Sequence, residues 1–313
     1  MTQVRIPRRP VDGVFLLDKP LHLSSNTALQ RVRWLYRAQK AGHTGVLDPL
    51  ATGLLPVCLG EATKFSAFLL DADKGYCATV RFGAVSTTLD AEGEITPVGP
   101  VNFDADRLRE VLDGFLGEIE QVPPMHSALK FQGKALYEYA REGIEIERKV
   151  RRITIHSIEL VGFDGDTAVI NVQCSKGTYV RTLAADIGAV LGCGAYLTGL
   201  RRTRTAGFEV ADALTLDALE VVAEDARDGL LMPPDVLVAH LPRTVLDDAD
   251  IHRLCHGQPA LAAQNTVRAG ENDAIIRDFR LYTEDGRFIG LGEIRKDDLL
   301  WPNRMLANKP VSA

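Results

Sequence analysis

The hydrophobic positions of this chain change period several times along its length. Residues 13–20, GVFLLDKP, with the apolar stretch Val14–Leu17, read as a buried strand that ends at Pro20. Residues 23–40 switch to helical spacing. Leu29, Val32, Leu35 and Tyr36 share one face there, while Arg31, Arg33 and Arg37 fall elsewhere. Ser24 or Ser25 can cap this helix, because a side-chain oxygen there accepts from a free N–H of the first turn. Residues 76–83 alternate, with Tyr76, Ala78, Val80 and Phe82 on one side, and residues 167–175 read as another strand. In 177–192 the helical period returns through Val180, Leu183, Ala184, Ile187, Val190 and Leu191. Strands and helices interleave without regular βαβ alternation. The pattern predicts an α+β fold with a mixed, largely antiparallel sheet.

Two stretches interrupt these periods. Residues 41–60, AGHTGVLDPLATGLLPVCLG, carry a single formal charge, Asp48, and read as loop and turn because of Gly42, Gly45, Gly53 and two prolines. Residues 230–250 carry three prolines in LMPPDVLVAHLP and then an acidic run, which suggests a domain break. Beyond it, RLYTEDGRFIGLGEI predicts a hairpin turning at Asp285-Gly286. A division follows: residues 1–249 as the larger domain and 250–313 as a small all-β domain.

A length of 313 residues suits two domains with a sizeable core. No uncharged apolar run approaches a membrane span, and the basic N-terminus is followed by no apolar core, so no signal peptide is expected. The five cysteines form no CxxC pair, as expected of free thiols in a reducing cytoplasm. His252 and His256 are spaced i, i+4 but lack a third ligand nearby, so no metal site is expected. The net charge is −6, yet it is unevenly spread. Residues 209–250 hold eleven acidic residues against two basic ones, whereas 1–40 and 148–207 are basic, with eight against two and nine against four. A separate basic face is therefore available to an anionic partner.

The lone carboxylate is the candidate for chemistry. An aspartate before proline is pushed out of the helical region, which puts Asp48 in a turn. An Asx-turn would explain it blandly. Its apolar surroundings instead ask for a partner or a substrate. Arg181 is one such partner, since a cation in the first turn of a helix is disfavoured by the helix dipole and needs another reason to be there. The pairing would hold the Asp48 pKa down. His43 could stack on a flat ligand.

These same stretches resemble a known family. DGVFLLDKPLHLSSN, AGHTGVLDPLATGLLPVCLGEATKF, YCATVRFGAVSTTLDAEGEI, PPMHSALKFQGKALYEYAREG, CSKGTYVRTLAADIG and GAYLTGLRRTRTAGF are similar, in order, to the motifs of bacterial TruB-type tRNA pseudouridine synthases over residues 12–208. The C-terminal GLGEI and LLWPNRML resemble the PUA RNA-binding module of the same enzymes. The resemblance implies isomerisation of uridine 55 in the tRNA T loop, without metal or organic cofactor. It implies Asp48 as covalent nucleophile, Tyr76 packing on the base and helping proton removal from C5, and Arg181 as the partner of Asp48. His43, Tyr179 and Leu200 would surround the extruded uridine. The segment at about 124–152 would be an insertion closing over the RNA. Lys19, Lys64, Lys130, Arg141 and Arg202 are expected on the RNA backbone. Lys134, Arg148, Lys149, Arg151, Arg152, Arg201 and Arg204 fit the same use. The partner would be tRNA, through its T arm and acceptor stem, bound by a monomer with no protein partner. Two other readings stay open: a tRNA-binding protein without chemistry, and a glycosidase-like hydrolase pairing Asp48 with Asp90.

Overall fold

The computed structural model describes residues 7–261 and 278–307. The rest, including 262–277 and 308–313 of the expected C-terminal domain, lies outside the described residues. A ten-stranded sheet organises the larger part. Its main strands are β1 (Gly13–Lys19), β2 (Ala41–His43), β3 (Ala51–Leu59), β4 (Lys74–Phe82), β5 (Gly117–Gln121), β6 (Arg151–Asp164), β7 (Thr167–Cys174) and β8 (Ala195–Thr205). Leu214–Thr215, β1, β3, β8, β4, β7, β6 and β5 follow one another across it, with β2 beside β3 and Phe208–Glu209 beside β8. Most pairs are antiparallel; β8 runs parallel to β3, and Leu214–Thr215 parallel to β1. The sheet is thus mixed, as the interleaved pattern predicts.

Helix α1 (Ser25–Leu35) starts at the cap Ser24, whose side chain accepts from the Thr27 N–H. Leu29, Val32, Leu35 and Tyr36 are all buried, so the periodic face is the packed face. Helix α2 (Val180–Val190) packs on β8 with its backbone close against the strand's start. A Cβ added at Gly188 would lie 2.2 Å from the Ala195 nitrogen and 2.4 Å from the Gly194 carbonyl carbon.

The 41–60 expectation needs correction. Only residues 44–50 form a loop; the flanks are β2 and β3. Pro56 is tolerated in β3 because β8 pairs only as far as Gly53 and β2 only from Val57. On that side of residues 54–56 no neighbouring strand asks for a donor. The C-terminal hairpin also differs. Its strands Asp278–Tyr282 and Phe288–Ile294 close at Tyr282 opposite Phe288, so five residues rather than two connect them. Thr283 closes this wider turn, its hydroxyl accepting from the Arg287 N–H at 2.9 Å.

The second sheet runs Arg243–Val245, Asp278–Tyr282, Phe288–Ile294, Leu299–Met305, Ala260–Leu261. It takes in a strand seven residues upstream of 250, and a helix, Asp248–Cys255, accompanies it. The proline-rich segment before it is not loose. Leu237 and Val238 are fully buried, and Met232 exchanges two 2.9 Å backbone hydrogen bonds with Val14. The two sheets meet where Leu291 joins a core with Leu54 and Phe65, and where the Phe65 and Phe288 rings stand 5.4 Å apart. Within 124–152, Lys130–Phe131 and Lys134–Ala135 form a small hairpin, followed by a short helix, Leu136–Arg141.

Candidate active site

The loop 44–50 is held from below. Buried Ser25 donates its hydroxyl to the Leu47 carbonyl at 2.9 Å and accepts the Leu47 N–H at 2.7 Å. The Asp48 carbonyl accepts from the Ala51 N–H at 3.0 Å, which closes the turn that Pro49 starts. Two anchors on either side fix the direction of the carboxylate, whose side chain remains 39% exposed. Of the two serines read as caps, Ser24 caps the helix and Ser25 holds the loop.

Arg181 opens α2 with its side chain only 7% exposed, and its Nη2 lies 2.9 Å from Asp48 Oδ2. The same nitrogen donates to the His126 carbonyl at 2.7 Å, and Nη1 donates to the Thr88 carbonyl at 3.0 Å. A second carboxylate, Asp90, stands 3.5 Å from Nη1 and is 3% exposed. It accepts from Thr88 Oγ1 at 2.5 Å and from the Glu92 N–H at 3.1 Å. Arg181 thus spans an open carboxylate and a closed one, with two carbonyls fixing the plane of the guanidinium. Asp90 supports the arginine and has no opening to a substrate, which removes it as the second catalytic carboxylate of a hydrolase.

The electrostatic expectation for Asp48 is reversed. Burial pushes its carboxyl above the ordinary aspartate value; Arg181 opposes this, and the Asp90 charge adds to it. Desolvation in the apolar window outweighs the partner that was expected to dominate.

Another group of the expected residues lies on the central strands. Tyr76 pairs with Arg202, and Ala78 with Leu200, across β4 and β8. Paired residues point to the same side, so Tyr76, Leu200 and Arg202 share a face of the sheet. Tyr76 is 9% exposed. Burial pushes its hydroxyl up, while the charge of the neighbouring Arg202 guanidinium pulls the other way. Gly53 of β3 makes this layer possible. Its φ is +99°, and a Cβ there would sit 2.3 Å from the Arg202 carbonyl oxygen. His43 is half-buried, and burial with the Arg202 charge lowers its pKa, which favours the neutral ring. Tyr179 caps α2 and is locked by Gln121 of β5, which accepts its N–H at 2.8 Å and donates to its carbonyl at 3.1 Å.

Asp48 is thus paired with Arg181, Tyr76 and Leu200 share a sheet face in the same apolar cluster as Leu47, His43 ends the strand that leads into the 44–50 loop, and Tyr179 precedes Arg181 at the start of α2. The phosphate expectations divide. Lys19 is fully buried and donates to the carbonyls of Pro20 and Leu23 at 2.8 and 2.6 Å. Burial lowers it to about 8, and the Asp48 charge opposes that fall. Arg202 is 1% exposed and donates to the Leu54 carbonyl at 2.7 Å. Both belong to the floor of the site, not to a phosphate surface. Lys64 lies on the joint between the sheets, 2.7 Å from Glu61 and 2.8 Å from the Met305 carbonyl. Lys134, Arg148, Arg152, Arg201 and Arg204 sit in ion pairs with Glu142, Glu145, Glu118, Asp18 and Glu209. Lys130, Arg141, Lys149 and Arg151 are exposed and, among the described residues, unpaired with any carboxylate. Asp90, Ser25 and Gln121 were not assigned their roles from sequence, because each acts through contacts 22 to 91 positions away. The described residues contain no cluster of His, Cys, Asp or Glu able to hold a metal.

Three family descriptions match the chain one after another. The N-terminal domain of the TruB family of pseudouridylate synthases matches residues 33–180, the C-terminal domain of tRNA pseudouridylate synthase B matches 181–239, and the C-terminal domain of pseudouridine synthase II TruB matches 242–306. The chain belongs to the TruB family of pseudouridylate synthases. As a TruB-family enzyme it is an isomerase, which moves the glycosidic link of a uridine from N1 to C5. Relatives named tRNA pseudouridine synthase B include that of Chromobacterium violaceum, 57% identical over 99% of both chains. Another is that of Neisseria meningitidis serogroup A, 54% identical over 98% of both. Among solved structures, a chain of a Cbf5–Nop10–Gar1 complex aligns with a TM-score of 0.66 at 25% identity, over 94% of this chain and 83% of that one. A chain of an H/ACA RNP bound to a substrate RNA shares the fold, with a TM-score of 0.70 at 23% identity over 95% and 86%.

Proposed function

We propose that this TruB-family chain converts uridine 55 in the T loop of tRNA to pseudouridine, with Asp48 as nucleophile and no cofactor. The observation that carries the reading is the Asp90–Arg181–Asp48 set: a buried arginine, braced by a closed carboxylate, presenting an open carboxylate. Asp48 attacks either the sugar C1′ or the uracil C6, and the N1–C1′ bond breaks. The detached base turns, C5 bonds to C1′, the bond to Asp48 breaks and returns the free carboxylate, the C5 proton leaves, and N1 takes a proton. Nothing is oxidised, and water does not enter the product, so no cofactor is called for.

Uridine must leave its stack to reach a carboxylate at this depth, at a cost of a few kcal/mol. Tyr76, His43 and Leu200 offer an apolar and aromatic receptacle for it. Tyr179 stands beside them at the start of α2. Lys130 and Arg141 on the 124–152 segment, with Lys149 and Arg151 after it, are the cations left for phosphates of the T arm and acceptor stem. The segment also reaches the chemistry, because the His126 carbonyl at its root holds Arg181. Closure of the segment over RNA would tighten the arginine that orients Asp48.

The test is incubation of the protein with unmodified tRNA and no cofactor, followed by mapping of pseudouridine by nucleotide. One pseudouridine per tRNA, at position 55, is expected. Release of free uracil would identify a hydrolase instead. Bound but unmodified tRNA would identify a binding protein.

A further inference from the structure

The site contains two buried arginines with opposite surroundings. Arg181 has two carboxylates. Arg202 is more deeply buried and, among the described residues, has no carboxylate in ion-pair contact. A buried cation without a counter-ion is costly and is not retained for packing alone. The sheet supplies its setting. Arg202 is the register partner of Tyr76, its Nε donates to the Leu54 carbonyl at 2.7 Å, and its Nη2 reaches toward the Gly45 carbonyl at 3.5 Å. These contacts hold the guanidinium still, and Tyr76, its register partner on the same face of the sheet, is the reacting group it stands beside.

We propose that Arg202 is a positioning residue for the proton-transfer half of the reaction: anchored on two backbone carbonyls, its guanidinium holds the Tyr76 oxygen and the negative charge that makes this oxygen the acceptor of the C5 proton. The proposal rests on the pseudouridine synthase reading above. In the step concerned, C5 has bonded to C1′ and still carries its hydrogen. The Tyr76 phenolate takes that proton. The C5–H electron pair re-forms the C5=C6 double bond, the C6=N1 pair moves onto N1, and N1 takes a proton.

The other charges around the pair have defined signs. Lys19 of β1, His43 of β2 and Lys74 of β4 lie near enough that the Arg202 charge lowers all three. Asp48 and the Cys174 thiol of β7 act on Tyr76 in the direction that keeps it protonated. Arg202 is the largest influence opposing burial at the Tyr76 hydroxyl. Removing it leaves that hydroxyl harder to ionise, so a rate limited by the phenolate must begin its rise at higher pH.

The experiment measures single-turnover rates on full-length tRNA carrying uridine or [5-²H]uridine at the target, across pH 6–9, for the full chain and for Arg202→Gln, Arg202→Lys and Tyr76→Phe. The glutamine variant is expected to react at least about tenfold more slowly at neutral pH. Its rising limb should be displaced to higher pH and its deuterium effect should be larger, with tRNA affinity within about threefold of the parent. Arg202→Lys keeps a cation without the second prong and is expected to show the larger deuterium effect at smaller size. A uniform rate loss at every pH with an unchanged isotope effect, or a loss confined to affinity, makes Arg202 a structural residue and overturns the proposal. Should the glutamine variant not fold, a lysine variant equal to the parent in isotope effect overturns it alone. A parent enzyme that makes no pseudouridine sinks the function itself. A parent that makes it, with Tyr76→Phe equally fast, sinks only the proton-transfer roles of Tyr76 and Arg202.

Discussion

Replacing Arg181 by methionine should separate stability from chemistry in a way the geometry makes quantitative. The substitution keeps most of the apolar stem and removes the guanidinium. Asp90, 3% exposed, then loses its charged partner, and the carbonyls of Thr88 and His126 lose their donors. Breaking a buried pair costs about 3–5 kcal/mol. The Asp48 half adds little, about 0–1 kcal/mol, because that side chain is 39% exposed and screened. Asp90 retains Thr88 Oγ1 and the Glu92 N–H, which places the total at about 3 kcal/mol, or about 6–12 °C in Tm. The effect on chemistry should be larger. An unanchored Asp48 loses its orientation, and a misplacement of about 1 Å costs about 10²-fold in rate. The acid limb of the rate profile should also move to higher pH. Asp48 must be ionised to attack, burial already raises its pKa, and Arg181 is the largest influence opposing that rise. Calorimetry gives the first quantity, and single-turnover kinetics with saturating enzyme across pH gives the others. A variant whose bound complex reacts at the parental rate, with only tRNA affinity reduced, would show that Arg181 serves a phosphate and that the carboxylate set is incidental.

Asp90→Asn should move the acid limb the opposite way, to lower pH, because Asp90 is one of the groups raising Asp48; an upward shift in the same rate measurement would contradict the assigned electrostatics. Asp48→Asn should fold and bind tRNA with parental affinity while forming no product, as read by nucleotide mapping; turnover near the parental rate ends its assignment as nucleophile. Gly188→Ala should destabilise the protein by about 1–3 kcal/mol in denaturant titration, despite the gain of nearly 1 kcal/mol that helix propensity alone would give, because its Cβ meets the Ala195 backbone at 2.2 Å. Lys19→Met should be compared with the parent in unfolding free energy from pH 7 to 10. With a folded value near 8 and an unfolded value near 10.5, the parent holds fewer protons folded than unfolded in that window. Its stability relative to the variant should therefore rise with pH, by up to about 3 kcal/mol, and a flat difference would remove the buried cation from the account.

Much of the site was legible along the chain because its signals are local. The isolated charge at Asp48, the helical face from Val180 to Leu191 with a misplaced arginine in its first turn, and the alternation that turns Tyr76 inward each depend on a few neighbouring residues. The mixed sheet was legible for the same reason, since period and interruption are properties of short windows. What tertiary structure alone decided is which cations are free. Lys19, Lys64 and Arg202 look like phosphate contacts in a one-dimensional reading. Folding buries the first and last under the site and ties Lys64 to the Met305 carbonyl, because burial and pairing are set by strands that meet across more than a hundred positions. The same holds for Pro56. It reads as a loop-maker locally, yet it sits in a strand because two neighbouring strands end on either side of it. The direction of the Asp48 pKa was likewise invisible. A sequence can name a carboxylate and its partner, but only packing decides how much water is left around them, and desolvation outweighs a single opposite charge at this site.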